Sequence, residues 1–304
     1  MELLKELCGI HAPSGEEYKL KEFILEYVQN HKLNWKVQPT VVDDNDIQDC
    51  ILLVFGKPHT AIFVHMDSVG FTVRYNNELI KIGSPDAKNN DTLVGKDSHG
   101  KIECKLNIEH NSGSMKCNFS RTIDVGTSLT FKNKFKSTGK YIESCSLDNR
   151  LGIRNALAIA ETMESGIIAF TCWEEHGGGS VSILSKIIYE NFNIQKAIIL
   201  DTTWVSEGVK HDGGAVISIR DQYIPRRKFI NEVIYLAKNS NIPYQLEVED
   251  SGGSDGSEIQ KSPYPIDWCF IGIPTTNPHS ANEIASKKDI ESNEKLCKYL
   301  MENL

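Results

Sequence analysis

Two adjacent carboxylates, Glu174 and Glu175, interrupt an otherwise apolar part of the sequence. Residues 167–173 carry no charge and predict a buried strand, and His176 and the glycines 177–179 follow the pair. On the simplest interpretation the strand ends here and both carboxylates are solvated. Alternatively, the two carboxylates stand at a strand end, beside backbone that can bend, because a positively charged group lies there.

Similar polar residues stand at the ends of other predicted elements. In open α/β sheets, ligands bind outside the carboxyl ends of the strands. The residues at such positions are His65, Asp67, Asp148, Asp201 and His279.

Each of these residues also has an ordinary structural explanation. A histidine at a strand end is usually a hydrogen-bonded structural residue, and Asp148 is placed to cap a helix that starts near residue 151. As a set, however, carboxylates packed at one sheet edge repel one another, and a divalent cation removes that penalty. Mixed histidine and carboxylate ligands suit zinc, cobalt or manganese, whereas calcium prefers oxygen alone.

The elements that position these residues alternate between strands and helices. Apolar runs predict strands at 51–55, 61–65, 167–173, 197–200, 215–219 and 268–273. Helical periodicity appears at 151–163, 181–189, 229–237 and 288–301, and the S-x-x-E pattern at 14–17 predicts a capping box that opens another helix. The sequence therefore predicts an α/β fold, a layered α/β/α domain with a mixed sheet.

Residues 68–144 differ from the rest of the chain, since Asn, Ser, Lys and Gly become frequent and short alternating stretches replace the helical period. We expect a small all-β, barrel-like domain here. It is inserted into a catalytic domain formed by 1–67 and 145–304.

Composition excludes several classes of protein. The net charge is −8, from 33 basic and 41 acidic residues, which argues against a nucleic-acid partner or an anionic membrane surface. No apolar run approaches the roughly 20 residues that a membrane helix needs. The eight cysteines form no C-x-x-C pair and stand mostly in apolar runs, which is typical of reduced thiols, and we expect a cytoplasmic protein.

Five short motifs carry a resemblance that covers nearly the whole chain. In order they read HMD, SLDNR, WEEHGG, ILDTT and PHS, with the β insertion between the first two. This order resembles the tetrahedral and glutamyl aminopeptidases, a family of dinuclear metallopeptidases in the zinc-exopeptidase group. The resemblance implies an aminopeptidase that removes N-terminal residues from peptides, with two divalent metal ions (zinc, or else cobalt or manganese) and a homo-oligomer, a dimer or larger.

The same resemblance assigns the metal ligands. His65 and Asp201 would bind one metal. Glu175 and His279 would bind the other, and Asp148 would bridge the two.

It also assigns roles beside the metals. Asp67 would orient His65, and Glu174 would be the general base toward the attacking water. Gly253, Ser254 and Asp255 lie in a segment that resembles a substrate-pocket motif, although a glycine-rich surface loop explains it equally well. Among the histidines that match no ligand position are 11, 99, 110, 176 and 211.

Three departures from the family pattern bear on function. Asn149 replaces a second aspartate, the arginine often found before the late histidine is absent from 275–278, and the insertion is short. These changes put metal affinity, substrate anchoring and the size of the assembly in question. Two alternatives therefore stay open: an N-acyl amino acid deacylase or amidase with the same metal chemistry, and a scaffold protein with a weakened site.

Overall fold

A computed structural model describes residues 1–109 and 112–304, so His110 lies outside the described residues. The helices are α1 Glu2–Cys8, α2 Tyr18–His31, α3 Leu147–Ala160, α4 Ser180–Phe192, α5 Arg227–Ser240, α6 Asp255–Lys261 and α7 Lys287–Asn303. None of the helices described combines the length and the apolar content that crossing a membrane requires.

Strands and helices alternate from residue 147 onward, whereas the strands described between residues 40 and 144 follow one another without an α-helix. The strands are β1 Thr40–Val42, β2 Ile51–Phe55, β3 Ala61–His65, β4 Gly70–Val73, β5 Glu78–Ile82, β6 Thr92–Asp97, β7 Gly100–Ile108, β8 Met115–Asn118, β9 Ser128–Phe131, β10 Lys136–Ser137, β11 Tyr141–Ser144, β12 Gly166–Thr171, β13 Lys196–Trp204, β14 Ala215–Arg220, β15 Tyr244–Val248, β16 Asp267–Thr276 and β17 Glu283–Ser286.

One large mixed sheet forms the centre of the molecule. Its order is β1-β2-β12-β3-β13-β16-β17-β11-β10, and β14 pairs with β16 and β15 beside this path. Within this sheet, four strands lie side by side in the order β12, β3, β13 and β16 and run parallel to one another. Their carboxyl ends therefore meet at one edge of the sheet, as the sequence predicts for the ligand-bearing positions.

The central strands are apolar because both faces of the sheet are covered. Every residue of β2, β3 and β12 is buried. Successive side chains of a strand point to opposite faces, so unbroken burial requires cover on each side. Helices α3 and α7 pack together, and α4 and α6 form another packed pair. The α/β class with a mixed sheet is thus confirmed.

The inserted segment forms a separate closed barrel of six antiparallel strands, in the order β4-β5-β8-β7-β6-β9. Burial alternates along β7, and the inward residues join a core of their own that includes Phe71, Leu93 and Leu129. Strands β10 and β11 pair instead with the large sheet through β17. The domain boundaries at 68 and 144 stay a prediction.

The capping box predicted at 14–17 is wrong. Helix α2 begins only at Tyr18, and no side chain caps its first turn. The Ser14 hydroxyl instead donates to Oδ2 of Asp67 at 2.6 Å, and Oε1 of Glu17 accepts the Trp173 N–H at 3.1 Å. Both polar side chains of the motif therefore bond to residues at the edge of the sheet and not to the first turn of the helix, because these distant partners compete with the local cap.

His11 joins the N-terminal segment to the barrel. Its Nε2 lies 2.8 Å from Ser128 Oγ and its Nδ1 3.0 Å from Thr130 Oγ1. Burial lowers the pKa of His11 to about 4, with Glu16 opposing the shift. The unfolded chain therefore binds a proton that the folded chain excludes, and stability is lost as pH falls from about 6.5 toward 4.

We expect His11→Gln to remove part of this acid sensitivity. The wild type should lose about 2–3 kcal/mol more unfolding free energy than the variant between pH 7 and pH 4.5. Urea unfolding at both pH values measures the difference, with His31→Gln on the exposed end of α2 as the matched control. Equal losses in wild type and His11→Gln would contradict the assignment.

Candidate metal centre and active site

The structure brings all five predicted ligands together at the carboxyl edge of the parallel strands. His65, Asp148 and Asp201 each place one ligand atom within 4.8 Å of the others. Asp148, Glu175 and His279 form a second group by the same measure. Asp148 belongs to both groups.

The two oxygens of Asp148 face different histidines. Oδ1 lies 3.1 Å from Nε2 of His65, which is also 3.3 Å from Oδ1 of Asp201. Oδ2 lies 3.4 Å from Nε2 of His279, which is also 3.3 Å from Oε2 of Glu175. A carboxylate that faces two ligand groups, one with each oxygen, is arranged to bridge a pair of cations.

Burial makes this concentration of charge costly. It raises the pKa of Glu175 to about 8, with the neighbouring Asp148 adding to the rise and His279 opposing it. The pKa of Asp201 rises to about 6, again chiefly through burial. Oε1 of Glu175 is buried and has no hydrogen-bond partner among the described residues. Cations bound between these groups would satisfy that oxygen and remove the repulsion, so the donor set fits divalent metals.

The pKa values of the two histidines also rise, but through neighbouring charges and not through burial. Burial lowers the pKa of His279, but Asp148 and Glu175 outweigh it and hold that pKa at about 10. The pKa of His65 also lies well above its ordinary value, because Asp201 and Asp148 outweigh burial. Both shifts favour the protonated imidazole in the metal-free chain, so metal binding would displace a proton from each ring.

Asp67 lies behind the ligand groups and contacts three of the site residues. Its Oδ1 lies 3.4 Å from Nδ1 of His65, on the ring nitrogen that faces away from the ligand group. The same carboxylate accepts the backbone N–H of Glu174 at 3.1 Å and of Glu175 at 3.0 Å. Burial raises the pKa of Asp67. The interactions with His65, the Ser14 hydroxyl and the Glu175 N–H outweigh burial and lower that pKa overall. Asp67 therefore fixes the backbone of both glutamates and places its charge beside the imidazole.

The bend beside the two glutamates begins at Trp173, four residues before the first of the glycines. Trp173 has φ of 63°, which is uncommon for a residue with a side chain. Its N–H is held by Glu17, whose pKa burial raises to about 7. The three glycines at 177–179 also have positive φ, and the Gly178 N–H bonds the Trp173 carbonyl at 2.8 Å. Nothing at Trp173 itself signals this turn in the sequence.

Asp148 does not cap α3. Its backbone departs from helical geometry, and its oxygens serve the ligand groups and the Thr202 hydroxyl, which donates to Oδ2 at 2.9 Å. The Asp148 N–H donates to Oε2 of Glu283 at 3.0 Å. Glu283 is buried, and burial together with the Asp148 charge raises its pKa well above its ordinary value. Its sequence context gave no indication of this position.

The two residues after Asp148 support the site through backbone contacts. Nδ2 of Asn149 donates to the Leu200 carbonyl at 2.9 Å, beside Asp201, and its Oδ1 accepts the Gly152 N–H at 2.9 Å. Asn149 thus uses both a donor and an acceptor, which explains an amide at this position. Arg150 is fully buried and donates to the carbonyls of Leu7 and Met66.

Glu174 lines a cavity of about 410 Å³ together with all five ligand residues. Burial raises the pKa of Glu174 well above its ordinary value; His65 opposes the shift, and Asp201 and Glu175 add to it. Gly253 lies on the wall of the same cavity. Ser254 and Asp255 are buried at the start of α6, where Oδ2 of Asp255 accepts the Thr171 hydroxyl at 2.6 Å.

The barrel also contributes to the site. The Ser84 hydroxyl lies 2.9 Å from Nδ1 of His279 and so contacts the ring on the side away from the ligands. The Gly83 N–H donates to Nδ1 of His176 at 2.9 Å, which gives that histidine a structural partner. His211 lies beside Thr276, with its Nε2 2.8 Å from the hydroxyl. Ser84 has no distinguishing sequence context.

Comparison with known proteins identifies the family of the chain. The sequence profile of the M42 glutamyl aminopeptidases matches residues 103–296. A curated protein of Acetivibrio thermocellus, named for an inferred aminopeptidase activity, is 26% identical over 97% of this chain and 96% of its own length.

Solved structures share the fold. The TET aminopeptidase of Thaumarchaeota archaeon SCGC AB-539-E09 superposes with a TM-score of 0.88 at 20% identity, over 100% of this chain and 96% of that one. The TET1 peptidase of Pyrococcus horikoshii, which can assemble into a tetrahedron or a large octahedral shell, gives 0.84 at 20% identity, over 100% and 99%. Since the profile covers well over half of the sequence, this chain belongs to the M42 glutamyl aminopeptidase family.

Proposed function

We propose that the protein is a metal-dependent aminopeptidase that uses two divalent cations and a glutamate base. One observation carries the proposal. Two groups of histidine and carboxylate side chains share Asp148, which lines the same cavity as Glu174. His65 and Asp201 would hold one cation, Glu175 and His279 the other.

The chemistry divides between the cations and the chain. Two bound cations would lower the pKa of a water molecule and withdraw charge from the scissile carbonyl. Asp148 would fix their separation, and Asp67 would hold the His65 ring and the backbone of both glutamates in place.

Glu174 would carry the proton. Its carboxylate would accept a proton from the attacking water and then deliver it to the nitrogen of the leaving amine. The residue lines the cavity but belongs to neither ligand group, so it is available for this role. Its burial favours the protonated form, which suits a group that must hold a proton between two steps.

The substrate, the assembly and the cellular compartment of the enzyme are inferred from its relatives and its cysteines. We infer a peptide substrate and a homo-oligomer, a dimer or larger, because a TET relative forms closed shells. All eight cysteines are free and buried, which fits a reducing compartment such as the cytoplasm. Zinc, cobalt and manganese all suit the ligand set.

Metal removal tests the proposal. Protein stripped with a chelator should show no hydrolysis of aminoacyl anilides, and activity should return when zinc, cobalt or manganese is restored to two per chain. N-acyl amino acids are the matched substrates for a deacylase and should not be cleaved. Activity that survives complete metal removal, or cleavage of the N-acyl substrates alone, would refute an aminopeptidase.

A further inference from the structure

The cavity continues beyond the ligand groups to an acidic end. Asp221, Glu247 and Glu249 line it there, with Ser218 and residues 251–253 beside them. No lysine or arginine lines this cavity among the described residues. Arg220, next in sequence to Asp221, donates its Nε to the Asp221 carbonyl at 3.0 Å and does not reach the cavity wall.

These carboxylates are built into the sheet. Glu247 on β15 pairs with Ser218 on β14 and is only 4% exposed, and it accepts the hydroxyl of Thr203. Asp221 is 8% exposed; its Oδ1 accepts the Tyr223 N–H at 2.6 Å. Oδ2 of Asp221 is buried and makes no hydrogen bond of ordinary geometry in the described chain, although the Ser254 hydroxyl lies near enough to the carboxyl to oppose the rise in its pKa that burial causes. A buried, unpartnered carboxylate oxygen on a cavity wall calls for a donor from a ligand.

Charge repulsion points to a cationic ligand. Burial raises the pKa of Glu247, and Glu249 and Asp221 add to the rise. Burial likewise raises the pKa of Asp221. An ammonium or guanidinium group placed among the three carboxylates would relieve this repulsion and form charge-assisted hydrogen bonds.

The route from the ligand groups to this end suits a long side chain. Thr203 follows Asp201 by two residues on β13, so both face the cavity, about 7 Å apart along the strand. Trp204 and Phe270 add aromatic surface to the wall. A Cβ on Gly272 would come within 2.8 Å of Thr203 and Phe270, so these two side chains pack directly against the glycine backbone. Aromatic surface followed by acids suits an aliphatic stem with a cationic head.

From this arrangement we propose that Asp221, Glu247 and Glu249 select substrates whose N-terminal residue is lysine or arginine. The inference rests on the proposed aminopeptidase function and adds the substrate class. The acidic end binds the side chain and not the α-amine, because the α-nitrogen is two bonds from the scissile carbonyl and must stay beside the ligand groups. A glutamyl side chain, which the family description names, would be repelled.

Kinetics on matched substrates test the proposal. The metal-loaded enzyme should cleave lysyl and arginyl anilides with a kcat/KM about tenfold or more above that for leucyl anilide, and glutamyl anilide should be poorest. Glu249→Gln and Glu247→Gln should each lower kcat/KM for the lysyl substrate about tenfold and leave the leucyl value nearly unchanged. Asp250→Asn, an exposed acid in the same loop that does not line the cavity, is the matched control.

Binding gives a readout apart from turnover. Metal-loaded Glu174→Gln protein should bind L-lysine more tightly than L-norleucine, which has a similar apolar stem without the ammonium. Leucyl or glutamyl preference in the wild type, equal binding of the two amino acids, or equal losses on lysyl and leucyl substrates would overturn the inference. If no aminoacyl anilide is cleaved with two metals bound, the aminopeptidase proposal itself fails; if all are cleaved alike, only the selectivity does.

Discussion

Replacing Glu174 with glutamine is expected to abolish most turnover while the metal content stays at two per chain. Glutamine keeps the size of the side chain but cannot accept a proton from water. Loss of a general base typically costs about 10²–10⁴-fold in rate. The residue belongs to neither ligand group, so metal binding should survive the change. The measurements are kcat on an aminoacyl anilide and metal content by mass spectrometry.

The adjacent glutamate provides the control for this variant. Glu175→Gln is the same chemical change one residue along, but Glu175 belongs to a ligand group, so this variant should lose one metal as well as activity. Turnover by Glu174→Gln at the wild-type rate would refute the base assignment. Loss of metal by Glu174→Gln, as in Glu175→Gln, would instead make Glu174 a ligand.

The metal-free Glu174→Gln protein should fold at least as stably as the wild type. Burial raises the pKa of Glu174, so ionising this side chain opposes folding as pH rises above the ordinary glutamate range. Glutamine removes that opposition. An unfolding free energy equal to or above that of the wild type would therefore show that the variant loses activity because it lacks the base and not because it is unfolded.

That the proposed ligands lie close together could be predicted from sequence, because several of them follow recognisable apolar runs. His65 ends the apolar strand β3, and Asp201 follows the apolar part of β13. Parallel strands bring their carboxyl ends together, so a correct reading of the sheet already places these side chains at one edge. The motif order then supplied Asp148 and His279, which lie outside strands.

The supporting residues could not be predicted, because their roles depend on contacts between distant parts of the chain. Glu17 is 156 residues from Trp173, whose N–H it accepts, and Glu283 is 135 residues from Asp148. Ser84 reaches His279 from the barrel across 195 residues. In each case local sequence gives an ordinary polar residue, and only the folded chain supplies its partner. The misread capping box at 14–17 has the same cause.

The other large effect is expected from Asp148→Asn, which should reduce the metal content by more than any other single ligand change. Both ligand groups contain Asp148, so an amide there removes a charged ligand from each. Asp201→Asn is the matched control, since Asp201 belongs to one group. We expect Asp148→Asn to lose both metals and detectable turnover at metal concentrations where Asp201→Asn keeps one. Retention of two metals by Asp148→Asn would show that the carboxylate is not shared.

The metal-free form of the same variant should also be less stable, in contrast to Glu174→Gln. Although burial raises it, the two facing imidazoles hold the pKa of Asp148 below its ordinary value. A depressed folded pKa means that ionised Asp148 stabilises the folded state above about pH 4 and that this contribution is lost as pH falls. Removing the charge at pH 7 leaves His65 and His279 without their shared partner, at a cost of about 3 kcal/mol. Denaturant unfolding of the metal-free proteins measures this loss of unfolding free energy. A variant as stable as the wild type would mean that the two imidazoles are already neutral before any metal binds.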